Sequence, residues 1–213
     1  GKSYRKFLPY GYGKQRENAL SPGTLSLERH RQMWLYLQNE TDFFTKNYKV
    51  LHIAPEQEFL RKFKKMKNLD YISADLFSPI VDVKADILDL PFENESFDII
   101  FCNHVLEHIE DDRKAMSELL RVMKKGGWGI VQVPMKNSLE KTYEDFTIKD
   151  PKERQKHFGQ YDHVRWYGMD YFDRLKSVGF EADANFYSQK FSKEEIKKFG
   201  LRENEILPVV SKS

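Results

Sequence analysis

Acidic and polar side chains stand at the points where several short apolar runs of the sequence end. Asp75 and Asp86 each follow such a run, and the pair Asn103-His104 follows another. A carboxylate at the end of one strand can accept hydrogen bonds from both hydroxyls of a ribose. A second carboxylate on the next strand could accept from an exocyclic adenine amine. If these runs are neighbouring parallel strands, the spacing predicts a site for an adenosine-containing ligand.

Each aspartate also has a purely structural interpretation. Aspartates at strand ends commonly cap turns or helices through hydrogen bonds to nearby backbone N–H groups. Taken singly, Asp75 and Asp86 are therefore compatible with either role. Their combination with the surrounding residues is what favours a ligand site.

The histidines near the fourth apolar run raise the question of a metal site. His104 and His108 flank the start of a predicted helix, but zinc needs a third and usually a fourth protein ligand. His52 and Cys102 are the nominal candidates, and both lie within predicted strands. We therefore predict no metal site and interpret His108 as a packed helix residue.

Alternating strand and helix patterns position these residues. Predicted strands cover residues 50–53, 71–74, 81–85, 97–102, 128–133, 180–187 and 205–210. Predicted helices cover residues 26–44, 58–67, 111–124 and 169–178, and a capping-box pattern at Ser192 opens a last one. Gly126-Gly127 is expected to end the third helix, after Lys124 and Lys125. Strands separated by helices indicate an α/β fold with a doubly wound, mostly parallel sheet.

Two units are predicted along the chain. Residues 1–47 form an N-terminal arm and helix, with residues 1–23 as an extended arm or loop. Residues 48–213 form the ligand-binding domain, with a lid-like insertion at about 135–167. Connections of this length in a compact domain are usually functional. His163 and Arg165 in the insertion either bind an anionic acceptor or serve the fold.

Composition limits the class of protein. The 213 residues are 40% hydrophobic and 32% charged, which is typical of a globular domain. No apolar run approaches the ~20 residues needed to cross a bilayer, so we expect no membrane partner. The 35 basic and 33 acidic residues nearly balance, which argues against nucleic acid as a partner. Cys102 is the single cysteine, which suits a reducing compartment, and a cytoplasmic location is predicted.

Several motifs together carry a family resemblance. Residues 86–92 read DILDLPF, residues 96–98 SFD, residues 103–108 NHVLEH and residues 124–127 KKGG. This series resembles the class I S-adenosylmethionine-dependent methyltransferase family, in its methyltransferase type 11-like branch. The resemblance covers about residues 49–134 and continues more weakly to residue 180. It implies a Rossmann-like sheet of seven strands with helices on both faces, an antiparallel last strand, and S-adenosylmethionine as cofactor in a cytoplasmic, bacterial enzyme.

The resemblance also implies which residues contact the cofactor. These are Ala54, Pro55, Glu56, Asp75, Leu76, Asp86, Ile87, Asn103 and His104. The chain departs from the family where a Gly-x-Gly turn normally follows the first strand, because residues 51–56 contain no glycine. Ala54 is the next smallest choice, and Pro55 stiffens the turn. Glu56 either bonds the cofactor's amino group or occupies the first turn of the next helix, where an acid is favoured.

A second departure lies between Asp75 and Asp86. About ten residues separate them, which leaves no room for a full helix, so we expect an open adenine side. The cluster Arg29-His30-Arg31 either faces the cofactor's carboxylate or forms a solvated helix face.

The predicted reaction is methyl transfer to an oxygen or nitrogen atom of an unidentified small molecule. If the acceptor is a hydroxyl, His104 or His163 is predicted to act as the catalytic base. Two alternatives stay open. The N-terminal arm is basic, with Lys2, Arg5, Lys6, Lys14 and Arg16, and would suit an RNA or protein methyltransferase. The glycine-free turn would suit a module that binds S-adenosylmethionine without catalysis. The sequence does not predict the oligomeric state.

Overall fold

The elements of the fold follow one another in the alternating order that the sequence pattern indicates. The computed structural model describes residues 4–11 and 15–213. In chain order the elements are β1 (Leu8–Tyr10), β2 (Arg16–Leu20), α1 (Glu28–Asn39), β3 (Tyr48–Ile53), α2 (Gln57–Phe63), β4 (Leu69–Asp75), β5 (Val83–Lys84), β6 (Phe97–Asn103), α3 (Asp112–Val122), β7 (Met123–Gln132), β8 (Tyr143–Glu144), α4 (Pro151–Phe158), β9 (Arg165–Trp166), α5 (Tyr171–Ser177), β10 (Glu181–Asp183), α6 (Lys193–Phe199) and β11 (Val209–Ser211). Two short 3-10 helices cover Leu106–His108 and Tyr187–Lys190.

Seven of the strands form one sheet in the order β5-β4-β3-β6-β7-β11-β10. The five strands from β5 to β7 are parallel, and β11 runs antiparallel to both of its neighbours. The strand order reverses between β3 and β6, which is where such sheets open a crevice for ligands. The α/β fold predicted from the sequence, with its antiparallel last strand, is confirmed.

Helices cover both faces of this sheet because successive strand residues point to opposite sides. Leu51 of β3 belongs to a core that includes apolar residues of α3 and α5. Val50, its neighbour in β3, belongs to a second core that includes apolar residues of α1 and α2. The sheet whose strand ends form the ligand crevice therefore lies between two packed layers of helices.

The N-terminal stretch differs from the prediction. Residues 1–23 were expected to form an arm or loop, but β1 and β2 pair as an antiparallel hairpin. Residues 1–3 and 12–14 of that stretch lie outside the described residues. Arg16 of the hairpin bonds Glu28 of α1 at 2.9 Å, so the hairpin is tied to the helix that follows it.

The end of α3 also differs from the prediction. The helix ends at Val122, before the lysines and glycines expected to stop it, and β7 begins at Met123. Met123 pairs with Phe97, and Nζ of Lys124 lies 2.8 Å from the Asp98 carboxylate, so pairing with β6 draws this segment into the sheet. Gly126 lies inside β7 with φ at 72°, a left-handed conformation that glycine adopts readily.

The last two predicted strands are shorter than expected. The segment predicted as a strand over 180–187 is extended only over Glu181–Asp183, because β11 offers just three pairing residues. The remainder turns into the 3-10 helix Tyr187–Lys190. Similarly, β11 begins at Val209, after Pro208, rather than at residue 205.

Short elements structure the insertion over residues 135–167. The buried Arg165 guanidinium donates to the carbonyl oxygens of Leu106 (2.9 Å) and Glu110 (2.8 Å), and its Nε donates to Glu144 at 2.9 Å. Arg174 of α5 donates to the same Glu144 carboxylate at 2.8 Å. Arg165 therefore serves the fold and is not available to an acceptor. The lid-like role of the insertion stays a prediction.

No helix in the described part of the chain combines the length and the apolar character needed to cross a membrane.

Candidate functional site

A cavity of about 410 Å³ opens at the carboxyl ends of β3, β4, β5 and β6, and we call it the strand-end cavity. Six of the predicted cofactor-binding residues line it, namely Ala54, Asp75, Leu76, Asp86, Ile87 and His104. The remaining lining residues are Ile53, Phe77, Ala85, Val105, His108, Ile109 and Asp162. The structure therefore places the two carboxylates singled out in the sequence around one space. Their contact with a cofactor stays a prediction.

Both aspartates also hold turns, as their structural interpretation requires. Oδ1 of Asp75 accepts from the backbone N–H groups of Phe77 (2.7 Å) and Ser78 (2.6 Å). Oδ1 of Asp86 accepts from the N–H of Leu88 at 2.9 Å. These bonds fix the direction of each side chain and use only Oδ1. The two roles are thus compatible, because Oδ2 can still accept from a ligand.

Two residues at the crevice adopt left-handed backbone conformations without being glycine. Ala54 follows β3 with φ at 45°, and His104 follows β6 with φ at 56°. The N–H of Ala54 donates to Ala74 at 2.8 Å and that of His104 donates to Gln132 at 2.7 Å, so the sheet itself holds both residues. Such a conformation costs a non-glycine residue about 1–2 kcal/mol. Ala54 therefore makes the turn for which the family normally uses glycine.

Glu56 does not line the strand-end cavity. It lies at the N-terminal boundary of α2, and its carboxylate is 3.5 Å from Nε2 of His30 and 3.5 Å from Nε2 of His52. Burial raises the pKa of the Glu56 carboxyl, but the close contacts with the His30 and His52 imidazoles outweigh that effect and hold the pKa well below its ordinary value. Glu56 is thus engaged with two imidazoles.

Two other predicted cofactor contacts also lie outside the cavity lining. Asn103 is buried at the end of β6, and its Nδ2 is 3.5 Å from Sδ of Met33 in α1. Pro55 is half-buried in the turn between β3 and α2. Within the described chain, Oδ1 of Asn103 is buried and has no hydrogen-bond partner.

A second cavity of about 440 Å³ adjoins the first, and we call it the basic cavity. It is lined by Arg16, Glu28, Arg29, His104, Val133, Pro134, Met135, Lys136, Asn137, Trp166, Arg202, Asn204, Glu205 and Ile206. Arg16 is paired with Glu28, and Arg202 with Glu205, each at 2.9 Å. Lys136 lies over the Trp166 ring at 4.3 Å. Four cationic side chains against two carboxylates make this space favourable for an anionic group.

His104 lines both cavities and so stands between them. Its Nδ1 is 3.3 Å from Oε1 of Glu107, and among the described residues its buried Nε2 has no hydrogen-bond partner. Burial raises the pKa of Glu107, but the close contact with His104 and the charge interactions with His104 and His108 outweigh it and lower that pKa. An ionised Glu107 thus orients the ring so that Nε2 offers a lone pair.

His163, the other predicted base, lies deeper. Its side chain is buried, with Nδ1 3.2 Å from the carbonyl oxygen of Phe158 and Nε2 4.0 Å from Glu107. Burial lowers the pKa of the His163 imidazole, and the Glu107 charge opposes this only in part. His163 lines neither cavity, although His163 and His104 both approach Oε1 of Glu107.

Sequence reasoning missed other residues of the site. His108 was interpreted as a packed helix residue, but it ends a 3-10 helix, keeps 29% of its side chain exposed and lines the strand-end cavity. Asp162 reaches the same cavity from the insertion. Glu107 belongs to the NHVLEH motif, so its position was visible in the sequence although its role was not.

The cluster Arg29-His30-Arg31 separates in the structure. Arg29 lines the basic cavity, and its buried Nε has no partner in the part of the chain that the structure describes. His30 faces Glu56, and Arg31 donates to the backbone oxygens of Phe199 (2.8 Å) and Gly200 (2.6 Å). Only Arg29 is placed to meet a carboxylate at the crevice.

Comparison with known proteins shows which proteins this chain is similar to. A model described as a methyltransferase domain matches residues 35–131. An uncharacterised protein of Methanocaldococcus jannaschii is 32% identical over 106 residues, which cover 49% of this chain and 41% of that protein. The chain spans about two-fifths of the length of the first curated relatives that it matches.

Solved structures share the fold. An S-adenosylmethionine-dependent methyltransferase from Archaeoglobus fulgidus superposes with a TM-score of 0.54 at 17% identity, covering 86% of this chain and 94% of that one. The 1,6-didemethyltoxoflavin-N1-methyltransferase of Burkholderia thailandensis, solved with bound S-adenosylhomocysteine, has a TM-score of 0.54 at 11% identity and covers 86% and 76%.

The sheet order and the strand-end crevice define a Rossmann-like methyltransferase fold. Through residues 35–131 and through its fold, the chain is similar to the class I S-adenosylmethionine-dependent methyltransferases, in the type 11 branch. S-adenosylmethionine is the cofactor of this family.

Proposed function

We propose that this chain transfers the methyl group of S-adenosylmethionine to an oxygen or nitrogen atom of a small molecule. The observation that carries the proposal is the position of His104 between the strand-end cavity and the basic cavity. An adenosine group in the first cavity and an acceptor in the second would meet beside its ring.

The strand-end cavity suits the nucleoside. Asp75 and Asp86 supply carboxylate oxygens for ribose hydroxyls and the adenine amine, and Ile87 supplies an apolar wall. The exposed Phe77 lies at the rim, where no full helix intervenes between β4 and β5. On the other side of His104, the unpaired Nε of Arg29 suits the cofactor's carboxylate. The residues present thus fit the cofactor at both ends.

The basic cavity suits the acceptor. Lys136 and Asn137 come from the insertion, Arg16 from the N-terminal hairpin and Arg202 from the segment after α6, so parts of the chain that are distant in sequence enclose it. Its excess of cations favours an acceptor that carries a carboxylate or a phosphate. In this proposal the cationic side chains of the basic cavity bind the anionic group, instead of His163 and Arg165 as predicted from the sequence.

S-adenosylmethionine supplies a methyl group already activated on a sulfonium sulfur. The protein therefore has to align the acceptor atom with the methyl carbon, which can supply up to ~7–11 kcal/mol of the barrier reduction. If the acceptor is a hydroxyl, Nε2 of His104 takes its proton, and Glu107 stabilises the resulting imidazolium through Nδ1–H. An amine acceptor would need only the alignment. We assign His104 rather than His163 as the base, because His163 lines neither cavity.

Two structural observations weaken the case for the alternatives, which are a non-catalytic binding module and an RNA or protein methyltransferase. Ala54 makes the left-handed turn without glycine, so the missing Gly-x-Gly is no argument against catalysis. Arg16 of the basic arm is engaged with Glu28 rather than free for nucleic acid. The cytoplasmic location and bacterial source stay predictions.

The test begins with calorimetric binding of S-adenosylhomocysteine, followed by assays for its formation from S-adenosylmethionine with a panel of hydroxylated and amine-bearing acids and phosphates. We expect binding, turnover with at least one small acceptor, and loss of that turnover in His104→Ala. Binding without turnover on the panel, on RNA or on protein would instead establish the non-catalytic module. Turnover confined to RNA or protein would replace the small-molecule acceptor.

A further inference from the structure

The carboxylate of Glu107 is buried beside three histidines. Glu107 is 1% exposed, and among the described residues neither of its side-chain oxygens has a hydrogen bond that meets ordinary geometric limits. Its Oε1 lies 3.3 Å from Nδ1 of His104 and 4.0 Å from Nε2 of both His108 and His163. A buried carboxylate of this kind needs a cation or donors to offset the loss of hydration.

His108 and His163 are oriented so that Nε2 of each ring faces Glu107. Nδ1 of His163 lies 3.2 Å from the backbone carbonyl oxygen of Phe158, and Nδ1 of His108 lies 3.4 Å from Oδ2 of Asp162. Each acceptor favours a ring proton on Nδ1, and in the neutral imidazole the lone pair is then on Nε2, the nitrogen that faces Glu107. Metal-binding histidines typically show this arrangement, with a carbonyl or carboxylate behind the ring.

We propose that Glu107, His108 and His163 bind a divalent transition-metal ion, with Zn²⁺ as the best-suited ion. Their ligand atoms lie within 4.8 Å of one another. Bonds of about 2.0–2.1 Å to a tetrahedral zinc ion would bring them to about 3.3 Å, which small rotations of the side chains can provide. Two imidazole nitrogens and one carboxylate form a ligand set that zinc enzymes use, with a fourth position left open.

The backbone holds the three ligands together. The N–H of Val164 donates to the carbonyl oxygen of Glu107 at 2.9 Å, which places His163 beside the 3-10 helix that carries Glu107 and His108. The Arg165 guanidinium fastens the same two segments. The site is therefore built on a fixed scaffold, as metal sites require.

The site opens toward the strand-end cavity, which His108 and Asp162 line. A metal ion there would border the space assigned to the nucleoside rather than the one assigned to the acceptor. Metal binding itself goes beyond the proposed function and does not depend on methyl transfer. His163, the third ligand, lies 55 residues from His108 along the chain, so this site differs from the expectation of no metal site, which considered only His52 and Cys102 as further ligands.

The test is titration of untagged, chelator-treated protein with ZnCl₂ by calorimetry, and with CoCl₂ followed by visible absorption. We expect one ion per chain and cobalt d–d bands typical of low coordination. Loss of an outer-sphere partner usually weakens binding 10–100-fold, so His108→Ala, His163→Ala and Glu107→Gln should each weaken it by more than about 100-fold. Asp162→Asn should weaken it by about 10–100-fold.

His157→Ala is the matched control, because His157 belongs to the same insertion and is 41% exposed. It should leave the affinity unchanged. The proposal is overturned if no ion binds at one equivalent, if His157→Ala weakens binding as much as His108→Ala, or if His108→Ala has no effect. Because His108 is partly exposed, we expect its alanine variant to fold. His108→Ala therefore still tests the proposal if the variants at the buried Glu107 or His163 do not fold.

Discussion

The carboxylate of Glu56 lies 3.5 Å from Nε2 of His52, four residues earlier in β3. Nδ1 of His52 is in turn 2.9 Å from the hydroxyl of Tyr71 in β4. On the other side, His30 accepts the N–H of Leu27 on Nδ1 at 3.2 Å, so its Nε2 carries the proton that faces Glu56. A buried polar chain thus joins α1, β3, α2 and β4 directly behind the glycine-free turn.

Glu56→Gln should destabilise the fold by about 1–3 kcal/mol at pH 7, because the amide nitrogen would face one of the two ring N–H groups. The pKa of Glu56 is depressed in the folded state, so its contribution is present above about pH 4.5 and is lost as pH falls through the folded pKa. Urea unfolding of both proteins from pH 7 downward should show the difference narrowing only below about pH 4.5. A constant difference down to the lowest pH would contradict the assignment.

Substitutions of Ala54 should separate backbone strain from side-chain contact. Ala54→Gly should change the free energy of unfolding by less than about 1 kcal/mol, since the relief of strain and the added chain entropy oppose each other. Ala54→Val should cost more than about 1 kcal/mol, because a β-branched residue tolerates a φ of 45° poorly. Thermal unfolding with and without S-adenosylhomocysteine would measure both. Equal stability of the glycine and valine variants would show that the turn is not strained.

Asp75→Ala should weaken S-adenosylhomocysteine binding by about 1–2 kcal/mol if Oδ2 accepts from the ribose hydroxyls. Because Oδ1 also holds the turn at Phe77 and Ser78, the variant's folding has to be checked by circular dichroism. Asp183→Ala, at a side chain that is 93% exposed, is the control. Unchanged affinity in a folded Asp75→Ala protein would remove the ribose assignment.

The variant Arg29→Ala should show which end of the cofactor Arg29 contacts. If Nε of Arg29 meets the amino-acid carboxylate, the variant should bind S-adenosylhomocysteine about 10-fold more weakly, the loss of one charged hydrogen bond. Its affinity for 5′-methylthioadenosine, which lacks the amino-acid group, should not change. Arg202→Ala, in the same cavity but paired with Glu205, should affect neither ligand. An equal loss of affinity for both ligands would show that Arg29 does not act through the amino-acid carboxylate.

The sequence was informative where the relevant spacing is local. The positions of Asp75 and Asp86 are predictable because each stands at the carboxyl end of an apolar strand pattern, and parallel strands bring their carboxyl ends to one edge of a sheet. The predicted end of α3 at residues 124–127 is wrong. The pairing of Met123 with Phe97 draws this segment into the sheet and overrides the preference of Gly126 for a helix end. Local propensity is a weak guide when a sheet partner is available.

The distant contacts were beyond sequence reasoning. His163 reaches Glu107 only because Val164 pairs with the 3-10 helix, and nothing in the spacing of these residues signals that docking. The same holds for His30, which meets Glu56 through the packing of α1 against the sheet. Both arrangements arise from tertiary contacts between segments whose own patterns are unremarkable.

The Arg165 guanidinium holds two segments of the chain together. It is buried and bonds the backbone of the loop after β6, so that loop and the insertion are joined. Arg16 of the hairpin lines the basic cavity, and in its pair with Glu28 its side chain is 37% exposed and thus in competition with water. Opening of that ion pair would free a second guanidinium, beside that of Arg29, to meet an anion in the basic cavity.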